Sequence, residues 1–506
     1  MRLKTDYSDY ILTPPEKPEP QINGPRVFGV RPGAPFLFQV AATGKKPLKY
    51  SAEDLPGGLK IDQETGSITG KITEAKDYTV LLQVENERGQ AERELLIKVG
   101  DSICLTPPMG WNSWYCWSES VSDQKIRDTA RAMKEKGLVA HGWTYVNIDD
   151  CWQGLRGGDY KAIMGNERFP DMKGLADYVH SQGLKIGIYS TPWIGSYAGF
   201  IGGTADNPEG DYSNLAIPED ERPQPCQIFG RSPNTRKLGM RRFGDYWFTD
   251  EDAKQWADWG IDYVKYDWNP NDVPTTKKLA EGLKKCGRDI VLSLSNSAPF
   301  KNAEKLSKIA NLWRTTGDIR DIWLSISHIG FGQEKWREFA RPGHWNDPDM
   351  LQVGQIGVTN TFVRKLKDTH LTPDEQYTQI SLWCLLSAPL LLSCDIESLD
   401  DFTISLLTND EVLEIDQDPL GIPAERAFHK FGREIWIKKL HDGDIAVGMF
   451  NRWRFKRRIK LVFDKYGLED SYDVRDLWRQ KELGSFEDVF SAQVPSHGVK
   501  LVKLHH

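Results

Sequence analysis

The middle of the chain contains short apolar segments that each stop at one or more carboxylates. The segment at 262–268 has a strand pattern, and its last four residues include Lys265, Asp267 and Trp268. Segments 145–150, 312–318 and 344–349 have the same form. A barrel of parallel strands gathers its strand ends on one face, where enzymes of that architecture keep their chemistry. The pattern therefore predicts several carboxylates close together on one face of a barrel.

The sequence between Cys104 and about Gly421 alternates between strand and helix patterns. One helix is predicted to start after Ser122, a candidate N-cap, and to end near Gly137, where a C-cap glycine belongs. Strand patterns occur eight times, at 109–114, 145–150, 185–189, 263–268, 290–295, 312–316, 345–351 and 385–392. Eight strands that alternate with helices predict an α/β fold, a (β/α)8 TIM barrel over residues 101–422.

The segments on either side of this region are different in character. Residues 1–24 are rich in proline and are predicted to be an extended linker. Residues 25–100 carry short strand patterns separated by turns, which predicts a small Ig-like β-sandwich. Residues 423–506 return to a β pattern with a turn at 441–443, which predicts a C-terminal antiparallel β-sandwich. The longest insertion, 190–251, is expected to form a lid or a specificity wall.

Composition and charge narrow the possible partners. The 506 residues carry a formal net charge of -7, which argues against nucleic acid. No apolar run is long enough for a membrane span. The first residues lack the apolar core of a signal peptide, so the protein is either cytoplasmic or has had its signal removed. No cofactor is expected, and no oligomeric state follows from the sequence.

The seven cysteines are scattered along the chain and show no CxxC spacing. This pattern disfavours a structural zinc site, and no metal is expected. One disulfide, for example between Cys116 and Cys151, is compatible with the sequence.

Asp267 and Asp318 are candidates for a pair of catalytic carboxylates. Hydrolysis of a glycoside with retention uses a carboxylate nucleophile and a second carboxyl about 5–5.5 Å away that donates and recovers a proton. The fourth and sixth strands of a barrel could bring their ends this close across its mouth. Lys265 points to the same side of its strand as Asp267 and would keep that carboxylate ionised. Arg314 is a second candidate donor to sugar hydroxyls.

Three other interpretations remain open at this point. A single Asp at a strand end is most often a helix cap or turn residue, which applies to Asp149 and Asp150 and to the turn at 347–349. The carboxylates could instead bind a hard cation in a metal-dependent barrel enzyme, although Lys265 would compete with the metal. The barrel could also be a non-catalytic glycan-binding protein.

Five segments together resemble glycoside hydrolase family 27, the family of α-galactosidases and α-N-acetylgalactosaminidases. They occur in the family's order and read Met-Gly-Trp-Asn-Ser-Trp at 109–114, Ile-Asp-Asp-Cys-Trp at 148–152, Lys-Tyr-Asp at 265–267, Trp-Arg-Thr-Thr-Gly-Asp at 313–318 and Trp-Asn-Asp-Pro-Asp-Met at 345–350. The resemblance covers the barrel and the C-terminal sandwich. The N-terminal sandwich is similar to Ig-like modules attached to some bacterial members, which implies export to the periplasm or beyond.

The resemblance implies a role for each matching residue. Asp267 is expected to be the nucleophile and Asp318 the acid/base of a retaining exo-α-galactosidase. Asp149 and Asp150 resemble the pair that holds the 4- and 6-hydroxyls of galactose, which favours galactose over its pentose analogue, β-L-arabinopyranose. The remaining expected contacts with a galactoside or galactosaminide glycan are made by Trp114, Tyr189, Lys265, Arg314 and Asp349.

The sequence departs from the family pattern after the fifth strand. Many α-galactosidases carry a Glu there that binds the 2-hydroxyl, with a bulky residue three positions later. Here Ser295 and Ala298 stand at those positions, as in α-N-acetylgalactosaminidases, where space is left for an acetamido group. α-Galactosidase is therefore the first expectation, α-N-acetylgalactosaminidase the second and β-L-arabinopyranosidase the third. Trp268 and Asn269 also replace the cysteine that often follows the nucleophile, so that family disulfide is not expected.

Overall fold

Eight parallel strands form the central sheet of the computed structural model, which describes residues 6–212, 241–357 and 366–506. The strands are β1 (Met109–Asn112), β2 (Tyr145–Asn147), β3 (Lys185–Ser190), β4 (Tyr263–Asp267), β5 (Val291–Ser295), β6 (Leu312–Arg314), β7 (Trp345–Asp347) and β8 (Leu390–Leu392). Neighbours pair in the order β7-β6-β5-β4-β3-β2-β1-β8. The chain just after β7 closes the ring, because the Leu351 N–H donates to the Leu391 carbonyl over 2.8 Å. The predicted (β/α)8 barrel is confirmed.

Ten helices accompany these strands in the described part of the chain. They are α1 (Trp114–Trp117), α2 (Asp123–Glu135), α3 (Met172–Ser181), α4 (Thr249–Trp259), α5 (Val273–Lys285), α6 (Ala303–Leu306), α7 (Trp323–Phe331), α8 (Pro373–Leu385), α9 (Asp401–Leu407) and α10 (Asp410–Asp416). Helix α2 begins as predicted, with the Ser122 hydroxyl accepting from the Lys125 N–H. Gly137 follows it with a φ of +83°, a left-handed conformation that suits glycine.

The apolar segment at 385–392 was predicted to be entirely strand, and that boundary is wrong. Its first residue, Leu385, ends helix α8, which starts at a capping box between Thr372 and Glu375. Nearly every side chain of α8 is buried, so the helix has no polar stripe to separate it from the strand that follows. A short apolar run of this kind does not distinguish a buried helix from a buried strand.

The N-terminal module is a set of short sheets, as expected for an Ig-like sandwich. One sheet has four strands in the order Val27–Val30, Gly89–Val99, Asp77–Asn86 and Lys49–Glu53, and another has three in the order Pro35–Gln39, Ser67–Lys71 and Leu59–Ile61. A further pair joins Gln21–Asn23 to Ala41–Thr43. The proline-rich segment that precedes this module contacts the barrel. The Thr13 hydroxyl donates to the Ser405 carbonyl, and the Leu12 N–H donates to the Tyr377 hydroxyl.

The C-terminal region is an antiparallel sandwich packed beside α8. Its larger sheet has the order Glu425–Lys430, Arg433–Lys439, Ile445–Asn451, Val499–His505, Ser471–Asp476 and Lys481–Glu487. The second sheet pairs Arg457–Val462 with Val489–Val494. Three short antiparallel strand pairs lie in segments that join a barrel strand to the next helix. They are Gln153–Gly157 with Ala162–Gly165, Thr204–Ala205 with Tyr246–Trp247, and Gln355–Gly357 with Leu366–Asp368.

The disulfide suggested for Cys116 and Cys151 is not formed. Both thiols are free and fully buried, and burial raises their pKa well above the ordinary value. They therefore serve as small apolar core residues. Among the described helices, none is long and apolar enough to cross a membrane.

Candidate active site

Asp149 and Lys265 form an ion pair across the mouth of the barrel. Asp149 follows β2 and Lys265 lies on β4, on opposite sides of β3. The Lys265 ammonium donates to Asp149 Oδ2 over 2.7 Å, and the Asn112 amide donates to the same oxygen over 2.9 Å. The Asp149 N–H in turn donates to the Ser113 hydroxyl over 2.9 Å. These contacts hold a charged pair in place that is almost removed from solvent.

Asp267, at the carboxyl end of β4, lies at the centre of the pocket. Its side chain is buried, and burial raises its pKa to about 6, while the positive charge of Lys265 acts in the opposite direction. The negative charges of Asp149 and Asp318 raise this pKa further, and a hydrogen bond from Asn296 lowers it. The Asn296 amide donates to Asp267 Oδ1 over 2.7 Å.

The loop after β5 forms the wall next to Asp267. Ser295 pairs with Asp267 in the sheet, and both Ser295 and Ala298 are buried. Between them, Asn296 and Ser297 have φ values of +73° and +57°. Two consecutive non-glycine residues in the left-handed region cost energy, and such strain is concentrated at functional sites. It turns the Asn296 amide toward the carboxylate.

Arg314 connects the acidic groups on the far side of the pocket. Its guanidinium lies 2.6 Å from Asp349 Oδ2 and 3.4 Å from Asp318 Oδ1. Asp349 is buried, whereas 62% of the Asp318 side chain is exposed. The Ala298 N–H donates to the Arg314 carbonyl over 2.8 Å, which ties the β5 loop to the β6 loop. The pocket therefore has one accessible carboxyl opposite one buried carboxylate.

Asp150 is fixed by a part of the long insertion. Its Oδ2 accepts from the Ala198 N–H over 2.9 Å, and its Oδ1 accepts from the Cys151 N–H and the Gln153 amide over 2.8 and 3.1 Å. Burial raises the pKa of Asp150 to about 6. The insertion therefore contacts the site at Ala198, while 213–240 lie outside the described residues, so that its expected function as a lid or specificity wall stays a prediction.

Aromatic side chains complete the pocket. Tyr189 at the end of β3 is buried, and the Lys265 ammonium lies 5.5 Å from the centre of its ring. Trp114 is half-buried at the start of α1. Tyr197, from the insertion, has a pKa raised to about 12 by burial and by the negative charge of Asp267. The Arg241 guanidinium lies over the Tyr197 ring at 4.6 Å.

The eleven residues that the sequence singled out all lie at the carboxyl ends of barrel strands or in the segments that directly follow them, and the structure adds contacts from residues that the sequence did not identify. Asn112 lies within a predicted motif, so its contact with Asp149 could have been considered. Asn296 lies between two predicted residues, but its left-handed backbone has no clear sequence signal. Tyr197 and Ala198 come from an insertion without any periodic pattern. These contacts depend on loop geometry.

The acidic residues of the pocket are paired with cations and amides. In the described ranges, no group of three or more His, Cys, Asp or Glu side chains is arranged to hold a metal ion. Instead, Lys265 and Arg314 lie among the carboxylates, each at 2.6–2.7 Å from one of them. Such an arrangement offers hydrogen-bond donors and acceptors of the kind that sugar hydroxyls use.

A pocket of this kind at the carboxyl ends of a (β/α)8 barrel defines the class of barrel glycoside hydrolases. A sequence model described as "Alpha galactosidase A" matches residues 106–216 and 235–418, and one described as "Alpha galactosidase C-terminal beta sandwich domain" matches 430–504. A third, described as "Putative Ig domain", matches 19–100. The chain belongs to the α-galactosidase family, glycoside hydrolase family 27, which confirms the resemblance.

Individual relatives agree with this assignment. Alpha-galactosidase 2 of Arabidopsis thaliana is 34% identical over 414 residues, which cover 80% of this chain and 91% of the plant protein. Alpha-N-acetylgalactosaminidase of Gallus gallus is 28% identical over 431 residues, which cover 79% of this chain and 93% of the chicken protein. The crystal structure of a "putative alpha-galactosidase/melibiase" of Bacteroides fragilis is 32% identical, with a TM-score of 0.82 over 98% of this chain and 100% of that one.

Proposed function

We propose that the chain is a retaining exo-α-galactosidase with Asp267 as nucleophile and Asp318 as acid/base. The observation that supports this most strongly is the contrast between the two carboxyls. Asp267 is buried beside Lys265 and held by Asn296, whereas Asp318 is accessible beside Arg314. A nucleophile needs a fixed orientation, and an acid/base has to exchange protons with the leaving group and with water.

The reaction proceeds in two displacements. Asp267 attacks the anomeric carbon while Asp318 donates its proton to the glycosidic oxygen, so that the aglycone leaves and a glycosyl ester forms on Asp267. Water then attacks the same carbon, Asp318 takes a proton from it, and Asp267 leaves as a carboxylate. The Asn296 amide orients the Asp267 carboxylate by donating to its Oδ1. The Lys265 charge favours the ionised form that attack requires.

The rest of the pocket binds the hydroxyls and the apolar face of the sugar. Asp149 and Asp150 accept from the 4- and 6-hydroxyls. Donors and acceptors for the remaining hydroxyls come from Lys265, Arg314 and Asp349. The rings of Trp114 and Tyr189 form the walls against which the sugar packs.

α-N-Acetylgalactosaminidase is the second candidate, and the wall after β5 is the observation in its favour. Ser295 and Ala298 are small side chains directly beside Asp267, so the 2-substituent of the sugar lies near them. An α-N-acetylgalactosaminidase is also among the relatives. β-L-Arabinopyranosidase is third, because Asp150 is present and held ready to bind the hydroxymethyl group that this pentose lacks.

The experiment is a comparison of kcat/KM for the nitrophenyl α-galactoside, the α-N-acetylgalactosaminide and the β-L-arabinopyranoside. We expect the galactoside to be preferred, and a clear preference for the acetamido substrate would overturn the first choice. Activity that survives a chelator would exclude a metal-dependent reaction. Any turnover would exclude a protein that only binds glycans.

Export from the cytoplasm is part of the same proposal. A glycan-degrading barrel joined to an Ig-like module is suited to substrates outside the cell. Cell fractionation followed by an assay of each fraction tests this, and activity confined to the cytoplasm would contradict it.

A further inference from the structure

The C-terminal sandwich exposes a loop that combines cations with aromatic rings. This basic loop, residues 452–458, reads Arg-Trp-Arg-Phe-Lys-Arg-Arg and joins strand Ile445–Asn451 to strand Arg457–Val462. It has five cations and no carboxylate, in a chain whose formal net charge is -7. A positive patch that opposes the net charge of its own chain is a candidate for binding an anionic partner.

An exposed phenylalanine stands beside the basic loop in an unfavourable conformation. Lys430 pairs with Arg433, which leaves Phe431 and Gly432 as a two-residue turn with φ values of +51° and +69°. Such turns favour Asn, Asp or Gly at the first of these positions. Phe431 is nevertheless 70% exposed and adds little to the core. A bulky side chain that is both strained and exposed indicates a functional constraint.

Two more rings extend the same patch. Trp453 and Phe455 are 48% and 71% exposed, and the Trp453 ring packs over Gly432 in the neighbouring turn. The Arg457 guanidinium lies 5.1 Å from the centre of the Trp453 ring and donates to the Phe431 carbonyl over 2.9 Å. The turn at Phe431 and the Trp453 ring are thus in contact, and Phe455 lies two residues after Trp453 in the same loop, whereas exposed hydrophobic residues on most proteins are scattered singly.

The exposed cations of the loop are not used for ion pairs within the described part of the chain. Arg454, Lys456 and Arg458 are exposed, and no carboxylate in the described ranges lies within salt-bridge distance of them. Arg458 faces the neutral Gln493 across the two-stranded sheet. Exposed, solvated charges are common on protein surfaces and do not by themselves indicate a binding site. Here, however, the charges lie in the same loop as exposed aromatic rings. That combination matches a ligand with apolar faces and regularly spaced negative charges.

The patch lies beside the catalytic face of the barrel. Helix α7 begins at Trp323, five residues after Asp318, so its first residue is at most about 18 Å along the chain from the site. Arg452 donates to the Ser327 hydroxyl of α7 over 3.1 Å. The His497 ring stacks on Trp323 with centroids 4.2 Å apart, and the His497 N–H donates to the Trp453 carbonyl. These contacts attach the basic loop to the first turns of α7, the helix that follows Asp318 in the chain.

We propose that Phe431, Trp453, Phe455 and the cations of the basic loop form a surface site for an acidic polysaccharide. The rings stack on the faces of successive sugars, and Arg454, Lys456 and Arg458 pair with their carboxylates. A chain bound there would be held close to the active site. The site goes beyond the proposed hydrolysis and does not depend on which sugar Asp267 attacks.

Affinity electrophoresis of the full chain through gels that contain polygalacturonate tests the site. The Asp267→Asn variant is used so that no hydrolysis occurs. We expect retardation by the polymer that weakens about five-fold in Trp453→Ala/Phe455→Ala, since both rings would stop stacking on sugars and the contact between Arg457 and Trp453 would be lost. Neutral galactan in the gel should retard the protein far less.

The charge contribution needs a matched control. Arg454→Ala/Lys456→Ala/Arg458→Ala should weaken the retardation about tenfold, because three charge pairs are lost. Lys284→Ala/Lys285→Ala/Lys305→Ala removes the same three charges from exposed helix positions of the barrel. On the Asp267→Asn background both triple variants have a formal charge of -9, because loss of the carboxylate changes -7 to -6 and three cations are then removed, and this control should bind as before.

Three results would overturn the site. One is an equal loss in the barrel control, and another is unchanged binding after removal of both rings, since either means simple charge attraction. The third is tighter binding to phosphatidylglycerol vesicles or to single-stranded DNA, which would assign the patch to a different partner. Hydrolysis of the nitrophenyl α-galactoside by the loop variants on the wild-type background should stay unchanged. If the wild-type protein does not hydrolyse the nitrophenyl α-galactoside, that result contradicts the proposed function and not the surface site.

Discussion

Three buried aspartates at the carboxyl ends of barrel strands, or just after them, are harder to ionise than free aspartates. Burial raises the pKa of Asp150, Asp267 and Asp347 to about 6 in each case. The positive charges of Lys265 and Arg314 offset part of this effect. At neutral pH the folded protein therefore contains several carboxylates that would be ionised more easily in the unfolded chain, and this lowers its stability.

Asn296→Ala should shift the pH dependence of hydrolysis. The nucleophile has to be ionised, so kcat/KM should fall as the pH drops through about 6 in the wild type. Removal of the amide that donates to Asp267 makes ionisation harder and should move this acidic limb to higher pH by up to about one unit. The measurement is kcat/KM for the nitrophenyl galactoside between pH 4 and 8.

Asn302→Ala provides the comparison for this variant. Asn302 lies in the same segment after β5, but its amide donates to the Asn271 carbonyl and not to Asp267. Its acidic limb should match the wild type. The same shift in both variants, or no shift in either, would mean that the Asn296 amide does not set the pKa of Asp267.

Asp267→Asn should stabilise the protein at neutral pH while abolishing activity. The folded pKa of Asp267 is raised above its unfolded value of 3.8, so its ionisation favours the unfolded state as the pH rises from about 4 to 6. A neutral amide avoids this cost, which amounts to at most about 3 kcal/mol. The difference in melting temperature between variant and wild type should grow from pH 4 to 6 and level off above it. A difference in melting temperature that does not change with pH would mean that the ionisation of Asp267 is not its cause.

At the scale of elements, the loop after β5 is the part of the barrel that, in the proposed reaction, limits the room for the sugar beside Asp267. Two hydrogen bonds hold it to the β6 segment, from the Ser297 N–H to the Thr316 carbonyl and from the Ala298 N–H to the Arg314 carbonyl. The wall and the Arg314 cluster therefore form one rigid unit. A change in side-chain size there should act on the 2-substituent and leave the rest of the sugar unaffected.

Ala298→Leu tests this function of the loop. The larger side chain should fill the space available to an acetamido group and lower kcat/KM for the N-acetylgalactosaminide about tenfold more than for the galactoside. Ala298→Ser adds little volume and should retain the wild-type ratio. An equal loss for both substrates would mean that Ala298 does not face the 2-substituent.

The strand ends could be predicted from sequence because each combines a short apolar run with an acidic terminus. Asp149, Asp267 and Asp318 were identified in this way, and their common face follows from barrel topology alone. The contact of Asp150 with Ala198 could not be foreseen, since it joins residues 48 positions apart through an insertion without periodicity. The strained turn at Asn296 and the end of helix α8 at Leu385 likewise depend on tertiary packing, which overrides local pattern.

At the scale of the whole molecule, the Ig-like module and the C-terminal sandwich are both attached to the barrel by charged contacts. Arg31 lies 3.3 Å from Asp289, near the start of β5, and Arg93 pairs with Glu414 of helix α10. Arg475 of the C-terminal sandwich binds Glu411 of the same helix at 2.6 Å. Helix α10 thus contacts both flanking modules.

Arg31→Ala should weaken the attachment of the Ig-like module. Burial raises the pKa of Asp289, and the Arg31 charge and backbone N–H oppose this, so the variant leaves a poorly solvated carboxylate with less compensation. We expect a loss of about 1–2 kcal/mol, visible as a lower urea midpoint. Arg88→Ala removes an exposed pair with Glu87 and should have little effect. Equal midpoints for both variants would exclude this contact as a source of stability.

The distinct roles of Asp267 and Asp318 can be tested by azide rescue of the two alanine variants. In Asp267→Ala, azide takes the place of the nucleophile and attacks from its side, so the α-galactoside should yield β-galactosyl azide. In Asp318→Ala, a substrate with a good leaving group still forms the glycosyl ester, and azide then attacks from the opposite side to give α-galactosyl azide. NMR of the products distinguishes the two anomers. The reverse pattern, or near-normal hydrolysis by Asp267→Ala without azide, would contradict the assignment of the nucleophile.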